Sequence, residues 1–279
     1  MNLYATLHDL RRYLGLTALQ TGDDDLLLGL LDAAARLVER YTGRQFYPLR
    51  QTQRYHYHAP GMLLLRDDLL DLHALINGDG SALPLAACHL IPPGGPFCSA
   101  IVLDRAQAVF IYRADPLEAI AVEGTWGCHL DWANAWAESG DGVGDDPLAA
   151  GATVLHVTDA DGPDSDERGP RFATGQLLAI RNEYLHVLAV DADANTLMVA
   201  RGANGTTAAE HASGTAIHVY RPPADVAQAS LRVAAWLYKQ KDAGFTQTAG
   251  GLRGQIVVPP ALPGDIQQIL APYVRLRVA

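Results

Sequence analysis

No stretch of this chain reaches the roughly 18 consecutive apolar residues of a membrane-crossing helix. The opening MNLYATLHDLRRYLG has no apolar core of the signal-peptide kind. These absences predict a soluble protein made in the cytoplasm. Cysteine is scarce. Cys88, Cys98 and Cys128 are too few for a disulfide framework and point to a reducing compartment. They also make a poor metal site. His56, His58, His89 and His129 are available, but there is no C-x-x-C pair and no H-E-x-x-H. Buried thiols and strand or loop histidines are expected instead. Positive charge is short as well: 21 Lys and Arg stand against 31 Asp and Glu, a formal net charge of −10. Phosphate binding needs clustered cations, so broad binding to nucleic acid is excluded. An acidic surface can still line a passage through which DNA slides.

Catalytic motifs are missing too. There is no G-x-S-x-G and no Walker loop. Gly250, Gly251 and Gly254 follow no strand and carry no Lys, which reads as a flexible connection. The acidic run 159–167 lacks the spacing of a calcium loop and reads as a solvated, mobile hairpin tip. Arg201 and His211 admit a catalytic or sugar-binding reading; holding a long loop by hydrogen bonds is the plainer one. Trp126, Trp132 and Trp136 read as core and interface anchors. No enzyme activity and no cofactor are expected.

The clearest element present spans 23–43. Leu27, Leu30, Leu31, Ala34, Leu37, Val38 and Tyr41 recur at three and four, drawing one apolar stripe down a helix. Thr21 and Asp24 have capping-box spacing, and Gly43 is placed to end the helix in the left-handed conformation. A second helix is expected over 224–243, after Pro222-Pro223. Its face carries Val226, Ala229, Val233, Trp236, Leu237 and Gln240, and it is the natural packing partner for the first. Shorter helices are expected over 6–14, capped by Thr6 and ended by Gly15, and over 265–270.

Between the helices the pattern is β. Apolar runs around 55–57, 62–65, 72–76, 101–103, 109–112 and 119–124 suggest a small antiparallel unit. Residues 138–151, ESGDGVGDDPLAAG, read as a linker. Five further strands, at 153–158, 176–181, 184–190, 196–201 and 216–220, suggest a small barrel or sandwich.

DDDLLLGLLDAAARLVERYTGRQF (23–46), VEGTWG (122–127), PPADVAQASLRVAAWLYKQKDAG (222–244) and LPGDIQQILAPY (262–273) together resemble the head–tail connector, or head-completion adaptor, of tailed double-stranded DNA bacteriophages. In that family a helix ending in a Tyr-Thr-Gly-Arg-like turn precedes a β region. A V-x-G-x-W-G strand end then leads directly to a Pro-started helix. Here residues 128–221 intervene. Their RGANGTTAAEHASGTAIHVY resembles a small β module that recurs in tail-associated phage proteins.

The resemblance implies an α+β fold: a helical connector core with a small antiparallel β unit, formed by 1–137 and 222–279, and an inserted all-β barrel- or sandwich-like domain at 152–221. It implies a structural virion protein of the phage neck, assembled in the host cytoplasm as a homo-oligomeric ring of twelve. The ring docks on the portal protein and extends the DNA channel toward stopper or tail-completion proteins, passing double-stranded DNA without sequence-specific binding. Leu262, Ile266, Ile269, Tyr273, Arg275 and Arg277 are the residues expected to touch the portal or a neighbouring ring, with the tail 273–278 free to add as a strand. The alternative is a tail-associated carbohydrate- or receptor-binding protein, acting through the β domain with Tyr184, Tyr220 and His211.

Overall fold

A computed structural model describes residues 1–17, 19–95, 97–167, 169–240 and 262–275. Two helices open the chain, α1 (Leu7–Leu14) and α2 (Asp24–Thr42). Thr6 caps α1 in a reciprocal capping box with Asp9, and Gly15 ends it. The capping box expected from Thr21 and Asp24 is absent. Asp23 is the N-cap of α2 and makes no side-chain cap bond. The Asp24 carboxylate is taken instead by Arg11 of α1, at 2.7 and 3.0 Å. Gly43, at φ 67°, closes α2 by donating its N–H to the Glu39 carbonyl.

Five strands follow: β1 (Leu49–Tyr55), β2 (Met62–Ile76), β3 (Cys88–Ile91), β4 (Cys98–Leu103) and β5 (Ile120–Trp126). They form one antiparallel sheet in the order β1-β5-β2-β4-β3. The apolar runs at 62–65 and 72–76 belong to one 15-residue strand. Register shifts between Leu64 and Leu69, Leu69 and Asp71, and Leu72 and Ala74 break its alternation, so the sequence looks like two runs. Residues 109–112 form no strand; Tyr112 makes only an isolated bridge to Gly78.

Six more strands form a second antiparallel sheet: β6 (Trp136–Gly142), β7 (Val154–His156), β8 (Leu177–Ile180), β9 (Glu183–Asp191), β10 (Thr196–Ala200) and β11 (Ala216–Tyr220), in the order β6-β11-β8-β9-β10-β7. Residues 138–142, expected as linker, thus lie in β6 and pair with β11. The sheet curls so that the chain at the end of β6 reaches β7, closing it at one end into a barrel-like unit. Gly144 donates its N–H to the His156 carbonyl at 2.8 Å, and the Asp141 carboxylate accepts the N–H groups of Thr158 and Asp159. Leu155, Leu178, Ile180, Leu185, Leu197 and Ile217 fill the interior. The chain ends in α3 (Ala224–Gln240), α4 (Gly264–Leu270) and a short turn over Ala271–Tyr273.

The chain is therefore mostly β: sheets of five and six strands, with four α-helices among the described residues. This corrects the expectation of an α+β chain built on a helical connector core. The apolar stripes of α2 and α3 are long and unbroken, so they dominate the sequence pattern. The strands are short or bulged, and β6, WAESGDG, buries Ser139 rather than an apolar side chain, so it gives no period-2 signal.

The two sheets touch where the turn Ala203–Gly205 leans on β1. Gly205 has φ 77°, and a Cβ there would lie 1.9 Å from the Arg50 carbonyl oxygen. Gly205→Ala is expected to destabilise the protein by roughly 1–3 kcal/mol, through strain and forced separation of the sheets. A urea titration followed by tryptophan fluorescence measures it.

Candidate functional site

The turn after α2, residues 42–47, is where separate parts of the chain meet. The Arg44 guanidinium bonds the Tyr273 carbonyl at 2.7 Å and pairs with the buried Asp68 of β2 at 2.5 Å. Gln45 accepts the Cys128 N–H at 2.8 Å and donates to the Trp126 carbonyl at 3.2 Å. Phe46 is fully buried, edge-on to Tyr4 and Tyr273 at 5.7 and 5.3 Å. Its N–H donates to the Tyr4 hydroxyl and its carbonyl accepts from the Tyr220 hydroxyl at 2.6 Å. The end of β5, the end of β11, the N-terminal segment and the C-terminal turn are thus tied to one point. Burial pushes the Tyr4 and Tyr220 hydroxyls well up, and pushes the Cys128 thiol up to about 12. All three stay protonated, so they act as hydrogen-bonding and packing groups rather than nucleophiles.

The helix residues singled out from sequence gather beside this turn. Leu27, Leu31, Ala34, Val38, Val226 and Val233 are buried in one cluster, with Leu30, Leu37, Tyr41 and Leu237 packed against it. Trp236 is half-buried and outside that cluster; Ala229, Ser230 and Ala234 make the close face of α3 instead. Small residues there let α2 and α3 approach, which a Trp does not.

The residues expected to reach a partner sit largely inside the subunit. Leu262, Ile266 and Tyr273 are buried in the helix cluster, and Ile269 packs against it. The Tyr273 hydroxyl donates to Asp225 at 2.6 Å, and Arg275 bonds Asp68 at 2.5 Å. Arg277 and the rest of the tail lie outside the described residues, as does the end of the second helix beyond Gln240. In sequence, the spacing of four, three and four between Leu262, Ile266, Ile269 and Tyr273 reads the same for an inward face as for a docking face.

Between the sheets runs an aromatic seam. Trp136 stacks on Tyr184 at 5.0 Å and leans on Tyr220 at 5.2 Å, while Trp132 meets Trp136 edge-on at 6.4 Å. The seam opens into a cleft of about 510 Å3 lined by Arg50, Asp71, Trp132, Trp136, Arg181 and Tyr184 among others. Trp132 donates its indole N–H to Asp71 at 2.7 Å, and the Arg50 guanidinium lies 5.5 Å from the Tyr184 ring centre. No sequence pattern marked Arg50 or Arg181, because the cleft joins segments far apart in the chain. Tyr184 and Tyr220, the aromatics on which glycan stacking would rest, are buried in the seam.

Arg201 and His211 share a partner. Glu183, 1 % exposed, accepts Arg201 at 2.6 and 2.7 Å, His211 Nε2 at 2.8 Å and the N–H groups of Gly202 and Ala209 at 3.0 Å. Burial alone would raise this carboxyl; the Arg201, Ala209, His211 and Gly202 bonds outweigh burial and hold it down at about 2. The acidic run 159–167 is not a free tip. Arg221 pairs with Asp164 and Asp166, Arg171 with Asp141 and Asp159, and Ser165 covers the edge of β6 at the Glu138 carbonyl. Among the described residues no group of three or more His, Cys, Asp or Glu is placed to hold a metal ion, and no helix is long and apolar enough to cross a membrane.

No family model and no curated protein matches the chain. Among solved structures, a chain from the neck of an empty GTA particle, computed with C6 symmetry, is similar over 99% of this chain and 92% of that one. The identity is 14% and the TM-score 0.43, a likeness that carries no functional argument.

Proposed function

We propose that this chain is a structural protein of the neck of a tailed, phage-like particle. In this reading it is a non-enzymatic adaptor that assembles as a ring, docks on the portal and extends the DNA passage toward the stopper or tail. The observation that carries it is the junction at residues 42–47. The four segments whose order resembles the adaptor family, 23–46, 122–127, 222–244 and 262–273, lie far apart in sequence, yet Arg44, Gln45 and Phe46 bind the second and fourth directly. The first and third pack together as α2 and α3. Three of the four segments thus share one buried cluster, and the remaining one, 122–127, lies in the core of the first sheet and is tied to them through Gln45 and Trp126. The net charge of −10 suits a passage that must release DNA. The neck of the assembled virion, built in the host cytoplasm, is the corresponding location.

The test is direct. The purified chain is mixed with the portal of the same particle and imaged by cryo-electron microscopy. A ring seated on the portal is expected, and its subunit number, twelve by resemblance, is read from the map. A portal that stays bare sinks the reading.

A further inference from the structure

The cleft between the sheets carries a charge that the fold leaves unpaired. Arg181 sits in the two-residue turn between β8 and β9 at φ 53°, a left-handed conformation that an arginine adopts only at a cost. It is exposed, and among the described residues it makes no ion pair or hydrogen bond. Beside it, the Arg50 guanidinium lies over the Tyr184 ring and bonds the Asn182 carbonyl at 3.4 Å, has no carboxylate partner among the described residues, and its Nε is buried without a hydrogen bond. Trp132 and Trp136 wall the cleft, and the Asp71 carboxylate is engaged by the Trp132 indole. Two arginines against aromatic walls suit a carboxylate on a short acidic loop.

The same chain presents such a loop. Strand β9 runs from the Arg181 turn to the turn at 191–195, roughly 30 Å away at the opposite end of the barrel. That turn is rigid: Asp191 accepts the Ala194 N–H, and Asn195, at φ 51°, accepts the Ala160 N–H at 2.9 Å. It holds Asp193 exposed and, among the described residues, without a partner. The chain therefore carries a cleft with the unpaired Arg181 beside Arg50 at one end of the second sheet and a hydrogen-bonded acidic turn at the other.

We propose that the Arg50–Arg181 cleft of one copy receives the Asp191–Asp193 turn of the next copy. Charge complementarity selects a second copy as the occupant. The contact is head-to-tail, so it generates a ring when the rotation closes and a filament when it does not. It names the contact by which the ring proposed above forms, and so rests on that reading for its role. The test uses the full chain alone, so its failure leaves portal docking standing, and a bare portal leaves the contact standing.

Self-association is followed by analytical ultracentrifugation over a concentration series. Arg181→Glu and Asp193→Arg are each expected to weaken it by on the order of tenfold or more. Mixing the two variants in equal amounts restores it. Where the two alternate, the glutamate introduced in one variant's cleft faces the arginine introduced in the other's turn. At the next contact the unchanged Arg181 of the second variant faces the unchanged Asp193 of the first. Arg181→Gly, which relieves the backbone and so keeps the fold, is expected to lose assembly as well. A wild-type chain that stays monomeric throughout, an Arg181→Gly variant that assembles like wild type, or an equal mixture of folded reversal variants that fails to assemble overturns the contact.

Discussion

Replacing Glu183 with glutamine is expected to destabilise the protein by roughly 3–5 kcal/mol at neutral pH, because it leaves the Arg201 guanidinium buried without a counter-charge. The Arg201 side chain is 6 % exposed, and its other partners, the Ala149, Ala152 and Ala209 carbonyls, carry no charge. Glu183 opens β9, Arg201 and Gly202 follow β10, and Ala209 and His211 precede β11, so one carboxylate staples the 201–211 loop to the sheet. The pH dependence separates this from a packing defect. The folded-state pKa, about 2, lies below the ordinary glutamate value. The stabilisation is therefore complete above the unfolded pKa and is lost as pH falls from about 4.3 toward about 2. The wild type should lose roughly 3 kcal/mol across that window beyond what the variant loses, so the two urea midpoints converge in acid. Midpoints that stay equally far apart from pH 7 down to pH 2.5 would show that the ionised carboxylate is not the source of the effect.

Nothing adjacent in sequence announces that staple. Arg201 and His211 are visible as charged residues in a long loop, but Glu183 begins a strand that is otherwise almost continuously apolar, EYLHVLAVD. Its role depends on three strands meeting. The same limit governs the cleft, whose Arg50 and Arg181 belong to different sheets. What is legible in the sequence is local. The stripe of α2 places its buried face, and the runs at 216–220 and 196–201 place β11 and β10 within a residue of their ends. What is not legible is long-range. A bulged 15-residue strand reads as two short ones, and a polar strand held by its backbone reads as a linker. The inward packing of Leu262, Ile266 and Tyr273 is likewise not marked in the sequence. Hydrophobic period reports a buried face without saying what buries it.

Changing Ala34 to Asp is expected to unfold the helix cluster. Ala34 is fully buried on α2, and the described residues clustered around it are apolar. A charge set there without a partner costs roughly 4 kcal/mol or more, on top of the clash of a larger side chain in a close helix contact. The effect has a predicted boundary. The barrel has its own interior, from Val143 to Val219, closed at one end by the hydrogen bond from Gly144 to His156. If 152–221 together with β6 is a separate folding unit, amide exchange in Ala34→Asp accelerates in α1, α2 and α3, while β8, β9 and β10 keep their protection. The seam argues the other way. The N-terminal segment packs Leu3 against Gly175, and the Tyr220 hydroxyl bonds the Phe46 carbonyl, so the helices and barrel share a buried contact. Those few contacts are small against a barrel interior of Leu, Ile and Val side chains, each contributing roughly 1.5–3 kcal/mol on burial. Persistence of the barrel is therefore the expected result, with faster exchange confined to the strands that face the seam. Equal loss of protection in α2 and β9 would mean that the helices and the barrel fold as one cooperative unit.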